Sequence, residues 1–399
     1  MPSETEARPR KKIITVFGTR PEVIKLAPVL KEMAKAAHFQ SIAVNSGQHL
    51  DLLDPFVRLF GVQVQHDLKI MSPGQNPNQI CSRILAALDP ILAGERPDLL
   101  LVQGDTTTAL AGALAAFNQR IPVGHVEAGL RSGNTLNPYP EEMNRRLVTR
   151  LATYHFAATA QNRDTLLAEG VAADHIYVTG NPVVDSLNDI VTQPASQNLH
   201  DLLGRTTGLK RLVLTTHRRE SFGRVLEGNL SVLRDFVQEH QDVVLIFPVH
   251  PNPSVRATAA NILAGRERVL LLPPLDYVDF IGLLAQAWLI VSDSGGIQEE
   301  APTLRKPVLV LRENTERPEA LVAGVSRLVG SDPSRLRALL ESAYADDSWA
   351  RNLQKIPNPF GQGDSGRRII QAIDHVFWGV PIPHKEAAQI ADCRLQIAD

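Results

Sequence analysis

Leu99-Leu100-Leu101-Val102-Gln103-Gly104-Asp105-Thr106-Thr107-Thr108 contains a complete strand-to-helix transition. The apolar run at 98–102 does not alternate with polar residues, which suits a strand covered on both faces, as in a parallel sheet. Gly104 allows a tight turn, and an acid with three hydroxyls then stands where a helix over 107–118 must begin. Similar runs recur at 13–17, 41–45, 121–126, 154–158 and 175–178, separated by helical stretches such as 22–36 and 76–93. This alternation predicts β-α units feeding a parallel sheet.

The pattern restarts beyond a polar stretch at 191–208, with strands expected at 211–215, 243–247, 269–271, 288–291 and 307–311. A chain of 399 residues exceeds the size at which one core keeps growing. Two domains are therefore expected, at 12–190 and 209–364, with the boundary near 185–208. A final helix at 365–378 is expected to cross back onto the first domain, and the residues after it carry weak signals. No fixed repeat period is present.

Lys and Arg total 41 against 43 Asp and Glu, so the charge carries no footprint of a nucleic-acid binder. The polar start is followed by an apolar run at 13–17 that is too short for a signal peptide or a membrane span, so no membrane partner is expected. Two distant cysteines, Cys81 and Cys393, make neither a disulfide framework nor a metal knuckle and fit a reducing cytoplasm. The 12 histidines include no H-E-x-x-H, so no metal is expected.

Ligands of open α/β sheets bind at the carboxyl ends of the strands, so chemistry is sought in the loops there. Gly18-Thr19-Arg20-Pro21-Glu22 follows the first strand and reads as an anion-receiving turn or as an ordinary turn with a surface Arg. Asp105 reads as a base or as an N-cap, and capping is the commoner role for an acid there. Glu127 ends the next strand, so two strand-end acids can share one edge. Glu141, Glu142, Arg145 and Arg146 open a helix at i,i+4 spacing, which surface ion pairs would also explain. His217 lies among Arg218, Arg219 and Glu220 after another strand, where cations gather to hold phosphate. Ser294, Gly295 and Gly296 open a helix whose N–H groups can hold a phosphate, with Glu300 one turn in and Arg317 in a later charged loop. The string Gly361-x-Gly363-x-x-Gly366 lacks a preceding strand, so it reads as a loop with Asp364 or Ser365 capping the last helix rather than as a dinucleotide site.

Together, FGTRPEVIKLAPV, QGDTTTALA, IPVGHVEAGLRS, YPEEMNR, TGNPVVDSL, THRRESFG, PVHPNP, SDSGGIQEEAP and ERPEA resemble the non-hydrolysing UDP-N-acetylglucosamine 2-epimerases, from about residue 13 to 373. The resemblance implies two Rossmann-like domains in a GT-B-type arrangement with an interdomain active-site cleft, a homodimer, and no cofactor. It implies interconversion of UDP-GlcNAc and UDP-ManNAc by elimination of UDP to 2-acetamidoglucal and re-addition, supplying ManNAc units for cell-surface polysaccharide. Arg20, Lys25, His217, Ser294, Gly295, Gly296, Glu300 and Arg317 match the family's nucleotide-contact positions, and Asp105, Glu127, Glu141, Arg145 and His217 match positions needed for turnover. Which carboxylate serves which face of the sugar stays open. The loop at 273–280 is a candidate to pack on uracil. Gln48 and His49 match part of a second, activating substrate site, where Asp51 replaces the family's last glutamine. A glycosyltransferase would share the fold without needing three acids. A hydrolysing epimerase, or one for modified UDP-sugars, would differ near the sugar, and a noncatalytic sensor would have lost Asp105, Glu127 or His217.

Overall fold

The computed structural model describes residues 9–48, 50–216 and 223–382. They form two compact units, one of residues between 9 and 186 with those between 361 and 382, and one of residues between 187 and 360. In the first, β1 (Lys11–Phe17), β2 (Phe39–Asn45), β3 (His66–Asp67), β4 (Leu99–Gln103), β5 (Val123–Ala128), β6 (Tyr154–Ala157) and β7 (Ile176–Val178) make a parallel sheet. Its order is β3-β2-β1-β4-β5-β6-β7. Winding runs outward in opposite directions from β1 and β4, so a switch point lies between them, where a crevice opens at the carboxyl ends of the strands.

The apolar runs become the buried core. Val16, Val44, Leu100 and Val102 pack with Leu88 and Leu92 of α3 (Pro77–Glu95) and with Ala109, Ala113 and Ala116 of α4 (Thr107–Asn118). The small residues of α4 let it lie close to the sheet, and a Cβ on its Gly112 would stand 3.2 Å from Val102 Cγ1. Helix α16 (Ser365–Trp378) packs along α1 (Arg20–Lys35) within this unit. A Cβ on Gly366 would lie 2.8 Å from the Pro28 carbonyl oxygen, so a glycine is needed at that crossing. The start of α16 is held from far away in sequence. Asp185 accepts from the N–H groups of Ser365 (3.1 Å) and Gly366 (2.9 Å). This corrects the capping expectation, because the Asp364 carboxylate instead takes Arg367 and Arg368. Burial pushes the Asp185 carboxyl above its usual range.

In the second unit, β8 (Lys210–Thr215), β9 (Val243–Pro248), β10 (Val269–Leu272), β11 (Leu289–Ser292), β12 (Val308–Val310) and β13 (Ser326–Leu328) form a parallel sheet of order β10-β9-β8-β11-β12-β13. The winding is the same, with the switch point between β8 and β11. Both units are Rossmann-like, as the alternation of runs predicts. The edge strands β3 and β13 escape sequence reading because two or three residues, His66–Asp67 and Ser326–Leu328, carry no periodic signal. Among the described residues no helix is long and apolar enough to cross a membrane.

Candidate functional site

The switch point of the first unit is built around the turn after β1. A Cβ on Gly18 would fall 1.8 Å from Ser46 Oγ and 2.8 Å from Thr108 Oγ1, so only glycine fits. Ser46 and Thr108 share a hydrogen bond of 2.9 Å, and the Thr108 hydroxyl donates to Gln48 Oε1 at 2.7 Å. Gln48 thus braces this edge, while His49 lies outside the described residues. Arg20 is exposed, its guanidinium 5.7 Å from the Phe56 ring centre.

Glu22, fully buried in the first turn of α1, clasps two loops together. Its Oε2 accepts from the N–H groups of Gly18 (2.9 Å) and Thr19 (2.8 Å), and its Oε1 accepts from the Thr106 hydroxyl (2.7 Å). Sequence reading gave it no role, although Thr19-x-x-Glu22 is the signature of a helix start. Burial pushes the carboxyl up to about 7, against the opposing effect of the three donors. The folded state therefore binds this proton more tightly than the unfolded chain does. The stability this contributes is fully present below the ordinary carboxyl range and is lost as pH rises through about 7. Relative to Glu22→Gln, which does not titrate, the wild type is expected to lose about 2 kcal/mol of stability between about pH 5 and about pH 8 in urea titrations. A pH-independent difference would contradict this.

Glu127 occupies an unusual backbone position. The β5–β6 register shifts between Val126 and Ala128, and Glu127 adopts a φ of 65°. A non-glycine residue held there costs on the order of 1–3 kcal/mol, strain of the kind that collects at functional sites. Gly129 follows at φ 94°, where a Cβ would stand 2.3 Å from the Asn162 carbonyl oxygen. The Glu127 carboxylate is ion-paired with Lys25 at Oε1, accepts from Asn181 Nδ2 at 3.0 Å, and accepts from Gln103 Nε2 at Oε2. Lys25 is buried against this acid.

Asp105 is not the cap of α4, because the Thr106 hydroxyl accepts from the Ala109 N–H at 3.0 Å. Its carboxylate instead receives Arg145 through Nη2 and through Nε at 3.1 Å, while Asn144 Nδ2 donates to its main-chain oxygen at 2.9 Å. Arg145 turns its other arm to Glu142, with Nη1 to Oε2 at 2.9 Å. Glu142 is 0% exposed and also accepts from the Ser132 N–H (2.9 Å) and Arg146 Nε (3.0 Å). A buried network thus replaces the surface pairs that spacing alone suggested. Glu141 opens helix α5 (Glu141–Leu151) and is partly buried. Glu142 is a neighbouring acid that holds Arg145, a role that the spacing of the Glu-Glu doublet did not single out. Beneath Asp105, His125 Nε2 lies 2.8 Å from the Gly104 carbonyl. Burial, helped by the nearby His155, drives its pKa down to about 3, so the ring is neutral and donates.

In the second unit the switch point is tied by side chains: Thr215 and Ser292 hydroxyls meet at 2.8 Å, and Thr216 donates to Asp293 at 2.7 Å. Ser294 then caps α12 (Gly295–Leu304) without a side-chain hydrogen bond to the first turn. That leaves the positive end of the helix and its leading N–H groups to receive an anion. A Cβ on Gly295 would stand 2.8 Å from Arg317 Nη1, so glycine lets the guanidinium lie against the helix start. Arg317 pairs with Glu299 and Glu316, and Glu316 with Arg312 at 2.9 Å. Glu300 accepts from the Tyr277 hydroxyl at 3.0 Å, and Tyr277 opens helix α11 (Tyr277–Ala285), so the stretch expected as a loop at 273–280 is helical from Tyr277 on. Ser294, Gly295, Gly296 and Arg317 therefore gather at the start of α12, with Glu300 farther along the same helix. His217 lies outside the described residues. Among the described residues, no group of three or more His, Cys, Asp or Glu is placed to hold a metal.

A family model described as UDP-N-acetylglucosamine 2-epimerase matches residues 31–374. The UDP-N-acetylglucosamine 2-epimerase of Escherichia coli (strain K12) is 46% identical over 368 residues, covering 91% of this chain and 98% of that protein. A crystal structure from Neisseria meningitidis, a UDP-GlcNAc 2-epimerase bound to UDP-GlcNAc, is similar with a TM-score of 0.85 at 38% identity, covering 91% of this chain and 99% of that one. A putative UDP-N-acetylglucosamine 2-epimerase from Listeria monocytogenes has a TM-score of 0.85 at 39% identity, covering 94% of this chain and 98% of that one.

Proposed function

The chain belongs to the UDP-N-acetylglucosamine 2-epimerase family and has that enzymatic activity, and from this premise we propose that it works by reversible elimination. A C2 proton beside an acetamido group is weakly acidic, so its removal must accompany departure of a good leaving group. A carboxylate takes the proton from C2, and the C2–H electron pair becomes the C1=C2 double bond of 2-acetamidoglucal. The C1–O bond breaks with its electrons leaving on UDP. Re-addition reverses these steps, with the proton delivered to the opposite face. The two faces need two separately placed proton-transfer groups.

The observation that carries this reading is the Glu127 carboxylate, held on a strained bulge by Lys25, Asn181 and Gln103. Asp105, carried by the neighbouring strand end and oriented by Arg145, is the second acid, with Glu141 the third. The open start of α12, with Ser294, Gly295, Gly296 and Arg317, is suited to the diphosphate as charge develops on it. Arg20 and His217 add cations for the same group, and Glu300 is suited to accept from ribose hydroxyls. The product serves as a ManNAc donor for cell-surface polysaccharide, made in the cytoplasm by a homodimer.

Positional isotope exchange tests the elimination. UDP-GlcNAc carrying oxygen-18 in the C1–O–P bridge is expected to scramble the label into the non-bridging oxygens of that phosphate while epimerisation proceeds. Epimerisation with the label fixed in the bridge would rule out cleavage of the C1–O bond.

A further inference from the structure

We infer that Asn181, acting with Gln103, is a positioning residue that fixes Glu127 as the resting base of the C2 proton transfer. This rests on the elimination reading above. The Asn181 amide has a settled orientation. Its Oδ1 accepts from the Val183 N–H at 3.1 Å, at the start of α7 (Val183–Ile190), which leaves Nδ2 to donate to Glu127 Oε1 at 3.0 Å. A flipped amide would set its NH2 against an N–H and its oxygen against a carboxylate, losing both bonds at once. Asn181 is 1% exposed and Gln103 3%, so neither bond is exchanged readily for water.

Three elements around Glu127 present it with donors: α1 brings the Lys25 ammonium, β4 the Gln103 amide, and the turn before α7 the Asn181 amide. Donors to a carboxylate favour its ionised form. The donors hold both oxygens of the Glu127 carboxylate and aim it, as general-base catalysis requires. The αL backbone of Glu127 and the bulge beneath it bring the side chain to these donors. Asn181 therefore acts through Glu127 and is predicted to influence kcat rather than substrate affinity.

Asn181→Asp tests this with little change in shape. The substitution keeps an acceptor for the Val183 N–H and replaces the donor with a second carboxyl about 3 Å from Glu127 Oε1. Two carboxyls that close share a proton and raise the apparent pKa of the pair. The acidic limb of the kcat–pH profile is expected to move up by at least about one pH unit, and kcat near pH 6 to fall about tenfold or more, with KM for UDP-GlcNAc within about twofold. Gln103→Glu makes the same change from the Oε2 side and is expected to shift the limb in the same direction, so it decides the matter should Asn181→Asp not fold. An unmoved limb in a folded variant, or a raised KM at unchanged kcat, overturns the assignment. Deuterium uptake at C2 by the wild type is measured alongside. Its absence overturns the elimination reading and this inference together, whereas normal uptake with an unmoved limb overturns this inference alone.

Discussion

Glu127→Gln is expected to lower kcat about a thousandfold in both directions while leaving KM for UDP-GlcNAc within about threefold. The change keeps the size of the side chain and one of its two oxygens, so either Asn181 or Gln103 loses its acceptor, and it removes the carboxylate proposed to accept the C2 proton. It also takes the anion from buried Lys25, so a lowered melting temperature is expected beside the kinetic loss. The kinetic loss is measured on the fraction shown to be folded by circular dichroism. A variant with kcat within a few fold of wild type would remove Glu127 from the chemistry.

Arg145→Met is expected to destabilise the first unit by about 3–5 kcal/mol, because it breaks a buried ion network from its centre. Arg145 reaches Asp105 with one edge of its guanidinium and Glu142 with the other, and Glu142 is completely buried. A methionine of similar length fills the space but leaves both carboxylates without that cation. Arg145→Lys is not a conservative exchange here, since one ammonium cannot reproduce the two-edged contact. Urea denaturation followed by a probe in the first unit reads the effect, because two units need not unfold in one transition. A change within about 0.5 kcal/mol, the range of an ordinary surface substitution, would show that the network does not hold the fold.

The doubly wound architecture was legible because buried parallel strands are continuous apolar runs, such as Leu99 to Val102, and the helices between them keep their own period. The acids at the carboxyl ends of β4 and β5 were legible for the same reason: once the strands are placed, Asp105 and Glu127 must emerge at one edge. Their environments were not. Nothing in the residues around Glu127 announces a left-handed backbone at a bulge, apart from the glycine two positions on, and its partners Lys25 and Asn181 lie far from it in sequence. That Glu142 is buried and pairs with Arg145 depends on how α5 is rotated against β4, which spacing within one helix does not set. The capping of α16 by Asp185, about 180 residues away, is tertiary in origin. Glu22 is different: its Thr-x-x-Glu spacing was available, but a helix-start signature does not tell that the same carboxylate also takes the hydroxyl of Thr106.

Proton NMR of the purified protein with UDP-GlcNAc in deuterium oxide, with divalent metal chelated and no cofactor added, reports directly on whether C2 gives up its proton during turnover. UDP-ManNAc carrying deuterium at C2 is the predicted result. UDP-ManNAc that keeps protium at C2, or free ManNAc with UDP as the final products, would contradict the mechanism.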